Sequence, residues 1–161
     1  MIETATVTGA LRQRDRYGTS GYCPLERALG VVGTKSALLL LREAFYGTTR
    51  FDDFARRVGV TEAVAATRLK ELVADGLLEK VPYREPGQRT RHEYRLTQKG
   101  ADLYPATLAL LEWGRKYLGA DGPIFEFTHA DCGAELEAVV RCADGHDVPL
   151  GQATVAARAR R

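Results

Sequence analysis

Tryptophan and methionine each occur once and cysteine three times in 161 residues, and the cysteine count narrows the field first. Cys23, Cys132 and Cys142 are too few and too odd a set for a disulfide framework. Metal binding, redox chemistry or plain burial remain for them. Long hydrophobic runs are also missing. The most apolar stretch, SALLLLREAF, is interrupted by Arg42 and Glu43, well short of the roughly 20 residues a membrane helix needs, so no membrane partner is expected. No basic start followed by an apolar core and a small-residue cleavage site opens the chain, which makes a cytoplasmic location the default expectation. Net charge is only +2, so a polyanion partner must be argued from where the charge sits.

A hydrophobic content of 45% with 27% charged residues fits a globular chain with one main core and an appendage. Residues 1–21 lack a sustained apolar period and end in RYGTSGY, which reads as a mobile arm carrying Arg12, Arg14 and Arg16. From Cys23 the pattern turns helical. CPLERALGVVG places Pro24 in a first turn, where a missing N–H costs nothing, and Gly33 ends the helix. Thr34 is placed to cap a second helix, KSALLLLREAFYG, that exits at Gly47.

RFDDFARRV then sets Phe51, Phe54, Ala55 and Val58 at i, i+3, i+4 and i+7, one apolar stripe on a short helix broken by Gly59. Thr61 is an N-cap candidate for the next helix, with Glu62 on the positive end of its dipole and Gly76 as the stop. LLEKVPY and RHEYRLT read as strands joined by a turn containing Pro86 and Gly87. Thr97 caps a long last helix in which Pro105 is expected to produce a kink. The order of four helices, hairpin and helix predicts a mostly α fold with a small β wing, a winged helix-turn-helix over residues 22–119. Residues 120–161 form a C-terminal extension with a small β-hairpin unit and a basic tail.

The segments CPLERAL, RFDDFARRVGVT, RLKELVADGLLEK, YRLTQKG and LEWG, in that order from about Tyr22 to Leu118, resemble the HxlR-type transcriptional regulators, relatives of the MarR-type winged helices. The resemblance implies a regulator of transcription, by default a repressor, that binds double-stranded DNA as a homodimer and answers a small molecule or electrophile. A two-fold dimer on a pseudo-palindrome also follows from geometry, since one module reaches one half-site. The apolar surface for pairing is expected on the first helix and on the last, with Leu108, Leu111, Trp113 and Tyr117, although Trp113 can equally belong to the core. Cys23 matches a position that senses oxidants in several such regulators. A helix start can favour a thiolate there, and a small buried residue near the dimer seam is the alternative.

Residues at 100° intervals along the Thr61 to Asp75 helix put Ala65, Leu69, Leu72 and Val73 on the core side. Ala63, Val64, Thr67 and Lys70 fall opposite, with Arg68 on the flank, and these face the major groove in such a motif. Ala63 and Val64 can touch thymine methyls, Thr67 has one hydroxyl, and Arg68 and Lys70 suit phosphates. The hairpin and its flank hold Arg84, Arg89, Arg91, Arg95 and Lys99 against Glu85 and Glu93, and Arg89 and Arg91 at the tip suit a narrowed minor groove. Lys35 and Arg50, at helix starts, are further phosphate candidates.

In the extension, His129 and Cys132 are spaced H-x2-C, and Cys142 and His146 are spaced C-x3-H. Two such pairs suit a structural zinc with four protein ligands and no open position for catalysis. Gly145 stands where a Cys-x2-Cys knuckle needs its second ligand, which favours a metal-free hairpin, so no cofactor is required. No general base or substrate pocket accompanies the cluster, and an enzyme is not expected. The competing reading to DNA binding is a winged-helix module for protein contact.

Overall fold

The computed structural model describes residues 2–16, 23–119 and 125–157. Two compact units divide the chain: the first combines Met1–Glu26 with Glu126–Arg161, and the second is Arg27–Phe125.

In the first unit, strand β1 (Thr6–Thr8) leads into a 3-10 segment, Gly9–Arg16. Near the chain's other end, β1 pairs in parallel with a three-residue strand, Thr6 opposite Thr154 and Thr8 opposite Ala156. The Thr6 N–H donates to the Ala153 carbonyl at 2.8 Å, and Arg12 Nε donates to the Val7 carbonyl at 3.3 Å. The described part of the expected mobile arm is therefore tied down. TATVT carries the alternating β-branched residues of a strand, but its partner lies 148 positions away in sequence. Residues 17–21 and the tail arginines lie outside the described residues.

The second unit is the winged helix-turn-helix. Helix α1 (Pro24–Val32) begins at the proline, with its residues from Arg27 onward in this unit. Thr34 caps α2 (Lys35–Phe45), its hydroxyl accepting from the Ala37 N–H at 3.2 Å. Gly59, in the left-handed region at φ 70°, ends α3 (Phe51–Val58). Thr61 caps α4 (Glu62–Ala74) by accepting from the Val64 N–H at 3.3 Å. Strands β2 (Leu78–Tyr83) and β3 (Arg91–Leu96) pair antiparallel, Leu78 opposite Leu96 and Tyr83 opposite Arg91. The short helix α5 (Gln98–Ala101) and the longer α6 (Tyr104–Leu118) follow, and β4 (Thr154–Ala156) is the strand that meets β1.

The core is built by Leu40 and Leu41 of α2, Phe54 of α3, Leu69 and Leu72 of α4, Leu77, Leu78 and Tyr94. Phe54 has no exposed surface and meets the Tyr94 ring edge-on at 6.0 Å. Burying such side chains stabilises by about 1.5–3 kcal/mol each before entropy is counted. Three apolar residues of one α4 stripe supply its inward face: Ala65, Leu69 and Leu72 are buried, and Val73 is partly so.

The last helix departs from expectation. It is two helices, because the chain turns at Asp102 and Leu103, and Pro105 sits in the first turn of α6. The proline starts a helix there, where its missing N–H removes no helical hydrogen bond. Leu108 packs into the interior, so the outward stripe on α6 is Leu110, Trp113 and Tyr117. Among the described residues no helix is long and apolar enough to cross a membrane.

Candidate nucleic-acid interface

Helix α4 presents Ala63, Val64, Thr67 and Lys70 outward, as its period requires. Ala63, Val64, Thr67 and Arg68 line a shallow open depression of about 250 Å³. Hydrogen-bonding capacity on this face is already partly used. Thr67 Oγ1 donates to the Ala63 carbonyl one turn back at 2.9 Å, leaving its lone pairs and methyl outward. Thr61 Oγ1 accepts the capping bond from the Val64 N–H, which leaves its hydroxyl hydrogen to donate elsewhere. Arg68 is paired with Glu71 one turn on, the neighbour pair that helical spacing allows.

Among the cations, only some remain available. Arg95 pairs with Glu93 at 2.6 Å, and Lys99 Nζ donates to the Asp75 carbonyl at 2.6 Å, satisfying an orphan acceptor at the end of α4. Arg84 closes the wing turn by donating to the Gln88 carbonyl at 3.1 Å. Arg89 and Arg91 are exposed at the wing with no ion pair among the described residues. Lys35 and Lys70 are exposed and unpaired in the same sense.

Arg50, a phosphate candidate by sequence, has partners within the chain: its guanidinium lies over the Tyr83 ring, 3.2 Å from the ring centre, with Nη1 3.4 Å from Glu93 Oε2. Spacing along the chain gave no sign of this, because Tyr83 and Glu93 approach only when the hairpin folds back. The same holds for a buried polar joint between α2 and α3. There Glu43 accepts from Thr48 Oγ1 at 3.2 Å and pairs with Arg42 at 2.8 Å, while Arg57 donates to Thr48 at 2.7 Å.

At the start of α3, Asp53 is held below the usual carboxylate range, first by the hydrogen bond from Arg56, with Arg57 and Arg50 adding positive potential. Tyr46, at the end of α2, is raised above its ordinary value by burial. Neither group lies on the outward face of α4.

Cys23 is an exposed free thiol one residue before α1. Cys132 and Cys142 are also free and exposed. Each sits with a histidine at a tight turn: Cys132 Sγ is 3.2 Å from His129 Nδ1, and Cys142 Sγ is 3.6 Å from His146 Nδ1. Backbone bridges close the turns, Thr128 against Glu135 and Arg141 against Asp147, in place of the regular hairpin expected. Two ligands of a tetrahedral zinc stand roughly 3.5 Å apart, given Zn–S of about 2.3 Å and Zn–N of about 2.0 Å. Each pair has that bite. Among the described residues, however, no three His, Cys, Asp or Glu side chains gather around one point that could hold a metal.

A short helix, a glycine turn, a helix with an exposed outward face and a hairpin beside it define a winged helix-turn-helix of the kind that binds DNA. Residues 31–122 match the HxlR-like helix-turn-helix family, and the chain belongs to it. It is 42% identical over 117 residues to the HTH-type transcriptional regulator Rv3095 of Mycobacterium tuberculosis, covering 72% of this chain and 73% of that one. YtfH of Escherichia coli, likewise an HTH-type regulator, is 34% identical over 92 residues, 56% of this chain and 71% of that one. Among solved structures, PA1607, a protein inferred to be a transcription factor, superposes with a TM-score of 0.73 at 33% identity, covering 88% of this chain and 96% of that one. The reduced form of the redox regulator HypR gives 0.53 at 31% identity, covering 60% of this chain and 96% of that chain. The chain is a DNA-binding transcriptional regulator by family.

Proposed function

We propose that the protein is a homodimeric repressor that reads a pseudo-palindromic operator with α4 in the major groove and the β2–β3 wing over the adjacent minor groove. The carrying observation is that the outward face of α4 and the wing tip belong to one unit, with Lys70, Arg89 and Arg91 uncommitted beside it. Phosphate contacts from these cations supply affinity and register, while Ala63, Val64 and Thr67 meet base edges. Pairing uses the outward stripe of α6, where Leu110, Trp113 and Tyr117 are each more than half exposed, an apolar patch of the sort that marks association surfaces. An electrophile or oxidant acts at Cys23, whose thiol is open to solvent; similarity to HypR supports that choice of signal.

Fluorescence anisotropy on the DNA beside the protein's own gene, against a shuffled duplex over a salt series, tests the reading. Preference for the native duplex that persists as salt rises is the expected result. Equal binding to both that collapses with salt defeats operator reading and favours a protein-contact module. Oxidant should release DNA from the wild type and leave Cys23→Ser bound; equal release from both removes Cys23 from the signal.

A further inference from the structure

An arginine is a poor choice for the position Arg50 occupies. It is the N-cap of α3, where Ser, Thr, Asp and Asn are preferred because their short side chains satisfy a free N–H, and where positive charge opposes the helix dipole. Arg50 makes no capping hydrogen bond. Its side chain instead crosses to the wing. There it stacks over Tyr83 at the end of β2 and faces Glu93 of β3, a carboxylate only 7% exposed. Nη1 of Arg50 is enclosed and makes no well-aligned hydrogen bond among the described residues, so the ion pair and the ring are what hold it. One residue earlier, the Thr49 carbonyl accepts from the Tyr94 N–H at 2.8 Å.

We infer that Arg50 is a positioning residue that clamps the wing to the first helix of the reading pair, setting the angle at which Arg89 and Arg91 meet DNA. The hairpin is a two-stranded sheet, a structure that is marginal alone in water, and in its outer half, beyond Val81 and Glu93, Pro82, Arg91 and His92 are exposed. Of the interactions that fix that outer half, the stack on Tyr83 lies nearest the tip-side end of the ladder, since Tyr83 pairs with Arg91 itself. A planar guanidinium suits a ring face in a way the compact ammonium of lysine does not. The clamp thus acts on DNA through the wing, and this consequence rests on the proposed operator reading.

Two variants that keep the charge at position 50 test the clamp, Arg50→Lys and Tyr83→Leu, with Arg50→Gln as the comparison. In the free protein, hydrogen exchange should be roughly 3- to 30-fold faster at the outer ladder amides of β2 and β3, the range that removing a cation–ring interaction spans, with α4 amides unchanged. On DNA, both charge-preserving variants should bind more weakly. Their salt slope should fall by about 0.9 for each wing arginine per protomer that no longer reaches its phosphate, even though Tyr83→Leu removes no cation at position 50. Unchanged exchange at the wing in both variants overturns the clamp whatever happens on DNA. A slope preserved by lysine but lowered by about 0.9 per protomer with glutamine overturns it too, since that is the signature of a direct phosphate contact. If the wild type shows no operator preference, the function proposed above fails and the exchange measurement still decides the clamp.

Discussion

Gly100 sits where the wing returns to the helical core, and replacing it by alanine should destabilise the joint. An alanine Cβ there would lie 2.1 Å from the Leu77 carbonyl oxygen, 3.0 Å from its carbon and 3.1 Å from Leu96 Cδ2. That carbonyl has little freedom to move aside. It accepts from the Thr97 N–H at 3.1 Å and from the Thr97 hydroxyl at 3.2 Å, and the hydroxyl also donates to the Gly76 carbonyl at 2.6 Å. Overpacking costs roughly 1–3 kcal/mol, a clash against backbone falls in the upper part of that range, and the better helix propensity of alanine returns up to about 1 kcal/mol. A net loss of about 1–2 kcal/mol should lower the melting temperature of the winged unit by roughly 5–15 °C, at about 4–8 °C per kcal/mol for a unit of this size. Circular dichroism melts of wild type and Gly100→Ala give the comparison directly. A variant melting at or above the wild type would show that α5 does not approach Leu77 this closely, and the account of the wing's attachment would fail with it.

Asp53 gives a pH test of fixed sign: its folded pKa is lowered, so its contribution is present above the unfolded value of about 3.9 and is lost as pH falls through the lower folded value. Asp53→Asn should therefore melt below wild type at neutral pH and converge with it in acid; a constant difference across pH would contradict this. Trp113→Glu, placing charge on the outward α6 stripe, should convert a dimer to monomer by analytical ultracentrifugation with the protomer still folded, and an unchanged dimer would move the interface elsewhere. Metal analysis of untagged protein should find no stoichiometric zinc, since the two Cys–His pairs do not converge; one zinc per chain, lost in both Cys132→Ser and Cys142→Ser, would show that they do so in solution. On a mapped operator, deoxyuridine in place of a thymine under α4 should weaken binding about fourfold per buried methyl, taking about 0.8 kcal/mol for the group. Insensitivity at every thymine would remove Ala63 and Val64 from the readout.

Helical periods and caps were the readable part of the chain, because both are local. The stripe from Phe51 to Val58, the caps at Thr34, Thr61 and Thr97, and the stop at Gly76 all follow from residues within a turn or two of one another. The outward face of α4 was legible for the same reason. What escaped is non-local or depends on a choice between two local outcomes. Thr6–Thr8 finds its partner at the far end of the chain, and Arg50 finds Tyr83 and Glu93 only after the hairpin closes. Pro105 could kink a helix or start one, and the turn at Asp102 and Leu103 decides for the second.

The side-chain commitments also bear on how such a regulator discriminates between sequences. A recognition helix that reads guanine usually offers arginine or lysine, and one that reads adenine offers asparagine or glutamine. The outward face of α4 has neither amide, its arginine is held by Glu71, and its threonine donates to its own helix. Direct hydrogen bonds to bases from this face are thereby left to the Lys70 ammonium and the lone pairs of Thr67, with methyl contacts beside them, unless Arg68 exchanges Glu71 for a base. Such a face is weakly selective alone. On the operator reading proposed above, specificity then comes from the spacing of two half-sites and from minor-groove shape beneath Arg89 and Arg91, where a narrow groove strengthens the negative potential they meet. This places unusual weight on the wing's angle, and it gives a physical reason for an arginine at a helix start that a capping residue would suit better.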